Sequence, residues 1–195
     1  MAKKDVLFLD ACVRGPRSRT LQLANRFLER LPNAEIRRVR LDTLGLLPLD
    51  RERLLTRDRL LREGKTDDEF FDLAKEFRRA QWLVVAAPYW DLSFPSLLKL
   101  YFENVTCSGV TFSYDQSGRP VSLCNAERLV YITTAGGPIG ENDHGFAYVR
   151  AVCEQFFGVR QSFCIAAEGL DVIGNRPEEI LRNAETSFEA ALADD

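Results

Sequence analysis

Three short stretches of this 195-residue chain carry residue types that can act together on a ligand. The first, Cys12-Val13-Arg14-Gly15-Pro16-Arg17-Ser18-Arg19-Thr20, follows an apolar run and leads into an amphipathic segment that begins near Leu21. A helix start offers unpaired backbone N–H groups and the positive end of the helix dipole, which suits a phosphate group. Ser18 and Thr20 add hydroxyl donors, and Arg17 or Arg19 adds a guanidinium that pairs well with phosphate oxygens. The same hydroxyls also cap helices where no ligand binds.

The second stretch, Ala87-Pro88-Tyr89-Trp90-Asp91-Leu92-Ser93-Phe94-Pro95, precedes a predicted helix from Ser96 to Val105. Its rings and prolines make a stiff apolar wall, suited to a flat conjugated system such as the isoalloxazine of a flavin, with backbone amides facing the polar edge. Packing of Trp90 and Phe94 in a core or subunit interface is the alternative. The third stretch, Thr133-Thr134-Ala135-Gly136-Gly137-Pro138, has two glycines that let a ring approach the backbone closely, or that simply form a tight turn. Together the three describe a pocket for flavin mononucleotide, FMN, provided the fold brings them to one place.

The elements needed to do that are legible as periodicity. Five apolar runs, Val6 to Ala11, Ile36 to Leu41, Trp82 to Ala87, Leu129 to Thr134 and Ser162 to Ala167, read as buried parallel strands. Segments between them place apolar residues three and four apart, as in Leu21, Leu23, Ala24, Phe27, Leu28 and Leu31, which predicts amphipathic helices. Alternating strands and helices imply an α/β fold in three layers, a five-stranded parallel sheet with helices on both faces. The expected strand order is the flavodoxin-like 2-1-3-4-5, in one domain spanning 1–195. Ligands bind such sheets beyond the carboxyl ends of the strands, where the three stretches fall. Leu44 to Lys65, rich in Arg and Leu, is expected to form an exposed loop with a short helix. Gly109 to Pro120 alternates and ends in a Ser-Gly turn, predicting an extended excursion or hairpin.

Composition narrows the partners. Lys and Arg total 26 against 29 Asp and Glu, so the chain lacks the basic excess that binds nucleic acid or anionic membranes. The apolar run in MAKKDVLFLDA is too short for a signal peptide or membrane span, so the expected location is the cytoplasm. The five cysteines, Cys12, Cys107, Cys124, Cys153 and Cys164, form no CxxC and no disulfide framework or metal site.

The chain resembles the FMN-dependent NAD(P)H oxidoreductases of the azoreductase and quinone-reductase type. APYWDLSFPSLLKLYFE, GVTFSY and ITTAGG carry the resemblance, in that order. It implies a flavodoxin-like fold and an FMN phosphate held by Ser18, Arg19 and Thr20. The ring would lie against Pro88, Tyr89, Trp90, Asp91 and Leu92, with Thr134, Gly136 and Gly137 closing its far edge. It further implies a homodimer with each site at the subunit interface, and ping-pong two-electron transfer from NADH or NADPH to quinones, azo compounds or similar small conjugated acceptors. Three positions depart from the family's pattern: Cys12 stands where many relatives have Ser, Asp91 where many have Asn, and Ala135 where some have Arg.

No side chain need act as a catalytic nucleophile in that chemistry. His144, the sole histidine, could protonate a reduced acceptor, although an exposed loop position is the simpler expectation. Two alternatives use the same residues. A flavodoxin-type electron carrier or FMN-binding regulator would not turn over nicotinamide itself. A phosphatase similar to the low-molecular-weight tyrosine phosphatases would use Cys12, but its Cys-x5-Arg spacing meets Ser18, and the chain has no Asp-Pro pair.

Overall fold

The structure is a computed structural model and describes residues 3–193. Its main sheet contains β1 (Lys4–Asp10), β2 (Ala34–Arg40), β3 (Trp82–Ala86), β6 (Arg128–Thr134) and β7 (Gln161–Ala167), all parallel, in the order β2-β1-β3-β6-β7. This is the predicted 2-1-3-4-5 pattern, with a small antiparallel hairpin, β4 (Phe112–Tyr114) and β5 (Pro120–Ser122), inserted before the fourth sheet strand.

Alternation along the central strands divides the interior into two layers. Val6, Phe8, Val84, Val130 and Ile132 face one side, where α1 (Arg19–Leu28), α6 (Pro177–Ala184) and α7 (Phe188–Leu192) cover them. Leu7, Leu9, Leu83, Val85, Leu129 and Tyr131 face the other, under α3 (Asp72–Arg79), α4 (Ser96–Val105) and α5 (His144–Phe157). Phe77, Phe102 and Phe157 stack closely there, with the Phe77 and Phe157 rings 4.5 Å apart and edge on.

Three expectations are corrected. The run at Ile36 to Leu41 is not a buried strand: β2 begins at Ala34 and lies at the sheet edge, where Ile36 is exposed and Val39 alone is buried. Its Arg37 is spent on Asp5 and Glu76, both at 2.8 Å. The helix of Leu44 to Lys65 is not short: α2 (Arg51–Arg62) makes three turns, started by Asp50 accepting from the Arg53 N–H. The helix expected near Leu21 starts earlier, at Arg19. No helix among the described residues is long and apolar enough to cross a membrane.

All five cysteines are free, and burial raises every thiol: Cys12, Cys124 and Cys164 to about 12, Cys153 further, and Cys107 in the same direction. A thiol whose folded pKa lies above its unfolded value of about 8.5 costs the fold nothing while both states are neutral. As pH rises past that value the unfolded chain ionises first, and stability is lost progressively towards the folded pKa. Urea midpoints are therefore expected to hold between pH 7 and 8 and to fall steadily by pH 10. A flat profile would place the thiols in contact with water.

Candidate functional site

Four loops meet at the carboxyl end of the sheet, those after β1, β3, β6 and β7. Between them lies a cavity of about 160 Å³ lined by Arg14, Arg17, Ser18, Arg19, Thr20, Pro88, Tyr89, Trp90, Thr134, Gly136 and Asp171. The three stretches picked out in the sequence thus share one pocket. A larger cavity of about 620 Å³ sits at the opposite end of the strands, beside Lys4, Trp82 and Arg128. It contains none of the expected site residues and lies away from the end where such sheets bind ligands.

The loop after β1 is set by a buried carboxylate. Asp10 accepts from the Cys12 N–H at 3.0 Å and pairs with Arg38 at 2.6 Å, which fixes the chain as it leaves the sheet. Ser18 then starts α1, its Oγ accepting from the Leu21 N–H at 3.3 Å, so the capping role is real. The N–H groups of Arg19 and Thr20 meet no acceptor among the described residues, as befits a first helical turn. Thr20 Oγ1 and Thr134 Oγ1 lie 2.6 Å apart and buried, joining the first loop to the third. One of them donates to the other, which leaves the second proton for a ligand.

The loop after β3 is held in an unusual shape. Trp90 and Ser93 exchange both backbone bonds, Trp90 N–H to Ser93 O at 3.1 Å and Ser93 N–H to Trp90 O at 2.7 Å. Asp91 and Leu92 between them take φ of 49° and 64°, the positive pair a type I′ turn requires. Residues other than Gly, Asn and Asp resist this region, so the strain falls on Leu92, at a cost of about 1–2 kcal/mol. The strain is braced from outside: the His144 N–H donates to Leu92 O at 3.2 Å, Tyr89 N–H to Thr134 O at 3.1 Å, and Tyr89 Oη to Asn142 O at 3.1 Å. It leaves Trp90 and Leu92 exposed on the rim instead of in the core. Leu92→Gly is expected to raise the stability of the ligand-free chain by about 0.5–1 kcal/mol, as relief of strain exceeds the entropy of a glycine. Thermal unfolding checks it, and a loss of stability would mean that Leu92 earns its place by packing.

Of the other expected residues, Asp91 and Leu92 stand on the turn beside the cavity and do not line it. Ala135 is buried, its N–H bound to Ala167 O, and Gly137 is exposed on the adjoining loop. Cys12 lies behind the pocket in the core, with Sγ 3.6 Å from Ala86 O. Burial and the neighbouring Asp10 push its thiol up to about 12, the opposite of what a phosphatase nucleophile needs. His144 is exposed as expected, but at the first turn of α5 and not in a loop.

Asp171 and Arg14 were not anticipated. Asp171 pairs with Arg19 at 2.8 Å, while Leu170 O accepts from the same guanidinium at 3.1 Å. The signal was available: the strand-end rule applies to β7 as to its neighbours, and Glu168-Gly169-Leu170-Asp171 follows that strand.

A family profile describing the flavodoxin-like fold matches residues 4–192. The chain belongs to that family. Within the flavodoxin-like family it is 35% identical, over 175 residues, to the FMN-dependent NADH:quinone oxidoreductase 2 of Clostridium acetobutylicum, covering 85% of this chain and 86% of that one. It is 32% identical to an FMN-dependent NADH:quinone oxidoreductase of Clostridium perfringens over 96% of both chains. In three dimensions it matches an azoreductase from Bacillus anthracis with a TM-score of 0.81 and 23% identity, over 97% of this chain and 99% of that one. An FMN-dependent NADH-azoreductase of the same species, solved in complex with FMN, gives 0.79 and 23%, over 98% of each. At that identity the structural likeness speaks for the flavodoxin-like fold alone.

The residues present fit FMN. Arg14, Arg17 and Arg19 bring three guanidinium groups against the single carboxylate of Asp171, next to two unpaired helix N–H groups. That donor set matches a phosphate monoester of about −1.5 to −2 charges. The apolar rim of Tyr89, Trp90 and Leu92 continues outward from it, where a ring attached to the phosphate would emerge.

Proposed function

We propose that this chain is an FMN-dependent NAD(P)H oxidoreductase that reduces quinones, azo compounds or similar small conjugated acceptors. The observation that carries the proposal is the junction of an arginine-rich helix start with an exposed aromatic turn in one cavity. The named relatives of Clostridium support the same activity. When bound, FMN supplies the two-electron chemistry between nicotinamide and acceptor. Ser18, Arg19 and Thr20 hold the phosphate, Arg14 and Arg17 add positive charge at the mouth, and Pro88, Tyr89 and Trp90 support the ring. The Asp91-Leu92 turn presents backbone groups at the ring edge. The braces from Thr134, Asn142 and His144 keep that turn in place without a reacting side chain.

An apolar groove of about 570 Å³ between α4 and α5, lined by Ser93, Phe94, Lys99, His144 and Tyr148 among others, adjoins the turn. In this proposal the chain works as a cytoplasmic homodimer, and the groove is apolar surface left for the acceptor or the second copy.

The decisive test is the absorbance spectrum of the freshly purified protein, followed without oxygen by addition of NADH, then NADPH, then a quinone. Flavin bands that bleach with the nicotinamide and return with the quinone are the expected result. Flavin bands that persist under both donors would favour an electron carrier served by a separate reductase, and a colourless protein that takes up no added FMN would end the proposal.

A further inference from the structure

The anion cavity contains an anion of its own. Asp171 enters it from the loop after β7, with Oδ1 2.8 Å from the Arg19 guanidinium. Its backbone is pinned, since the Asp171 N–H donates to Gly136 O at 2.9 Å and the Leu170 N–H to Ala135 O at 3.1 Å. The carboxylate therefore lies directly over Gly136: a Cβ at that position would overlap Asp171 Oδ2. The absence of a side chain at position 136, read from the sequence as room for a ring, is first of all room for this carboxylate.

We infer that Asp171 is a tethered counter-anion that a phosphate must displace from Arg19, so that it weakens the hold on FMN and narrows the preference for FMN over riboflavin. The inference rests on the FMN proposal for this cavity. Two features favour displacement over a purely positioning role. Arg19 does not need the carboxylate to stay in place, because Leu170 O accepts from it independently. The side chain of Asp171 is 67% exposed against 33% for Arg19, so the carboxylate can rotate into water while its backbone and the guanidinium remain where they are. Until it does, two anions converge on one guanidinium, and like charges a few ångströms apart repel even at a solvated site.

Asp171→Asn isolates the charge, since the amide oxygen still accepts from Arg19 and the side chain still fits over Gly136. The full chain, freed of flavin, is titrated with FMN and with riboflavin, and binding is read from flavin fluorescence. Asp171→Asn is expected to tighten FMN binding about threefold to tenfold and to leave riboflavin within about twofold of the parent, a gain that shrinks towards unity in about 1 M salt. Asp171→Ala is expected to act in the same direction, which guards against an effect special to the amide. FMN binding that is unchanged or weaker in Asp171→Asn would overturn the inference while leaving the FMN proposal standing. A parent chain that takes up neither flavin, or that binds FMN no better than riboflavin in high salt as in low, would overturn the phosphate site and the inference with it.

Discussion

Arg19→Ala is expected to weaken FMN binding by about tenfold to a hundredfold and to leave riboflavin binding close to that of the parent. A hydrogen bond to a charged group contributes about 1.5–3 kcal/mol, and each 1.4 kcal/mol is about a factor of ten in affinity. The effect belongs at the upper end here. Truncation removes the guanidinium and also strands Asp171, which lies at 2.8 Å from it, as an unpaired carboxylate facing the incoming phosphate. The second part is separable, because adding Asp171→Asn to Arg19→Ala should recover several-fold of the lost affinity. Riboflavin serves as the internal control: it keeps the ring and loses the phosphate. Equal losses for both flavins would show that Arg19 supports the fold of the pocket and does not meet the phosphate. Paired fluorescence titrations with the two flavins make the distinction directly.

How far these residues were readable from the sequence depends on what each one answers to. The central strands declare themselves because burial on both faces demands an unbroken apolar run: β3 and β6 are buried from end to end, with polar residues only at the two ends of β6. β2 misleads for the same physical reason inverted. An edge strand has a neighbour on one side only, so Ile36 can be exposed, and its arginines, which interrupt the apolar pattern, are structural partners of Asp5, Asp10 and Glu76. The helix starts at Ser18 and Asp50 carry side-chain caps in the sequence, yet the apolar period that reveals a helix begins only after the cap and first turn, so periodicity alone sets α1 late and α2 short.

In the site, position along the chain was more legible than role. Ser18, Trp90 and Gly136 were brought to one cavity because each follows a strand. The purpose of Gly136 was not legible, since the group that fills its vacant side lies 35 residues further on, in Asp171. The Asp91-Leu92 turn was hidden for a different reason. A type I′ turn announces itself through Asn-Gly or Asp-Gly, whereas here the geometry is imposed by tertiary bonds from His144 and by pairing of Trp90 with Ser93. Strain held by its surroundings, next to an exposed aromatic rim, is the local inconsistency expected where a chain serves a ligand more than its own stability.

That dependence on surroundings gives the last prediction. Gly145, the second residue of α5, is buried against the back of the turn: a Cβ there would lie 2.8 Å from Tyr131 Oη and 3.3 Å from the Ser93 carbonyl oxygen. Tyr131 is fully enclosed and Ser93 O belongs to the backbone of the turn, so neither can yield cheaply. An alanine would regain up to about 1 kcal/mol of helix propensity and blur the result. Gly145→Val brings two further carbons and little of that compensation. It is expected to destabilise the ligand-free chain by about 1–3 kcal/mol through overpacking, seen as a fall of several degrees in Tm. Because relief comes most easily by moving the α5 start away from the 90–93 turn, the His144 to Leu92 brace should go with it, and both FMN and riboflavin should bind more weakly. The pattern is the counterpart of Arg19→Ala, which separates the two flavins where Gly145→Val does not. A lower Tm with riboflavin affinity intact would mean that the turn carries its strain for some purpose other than holding the ring.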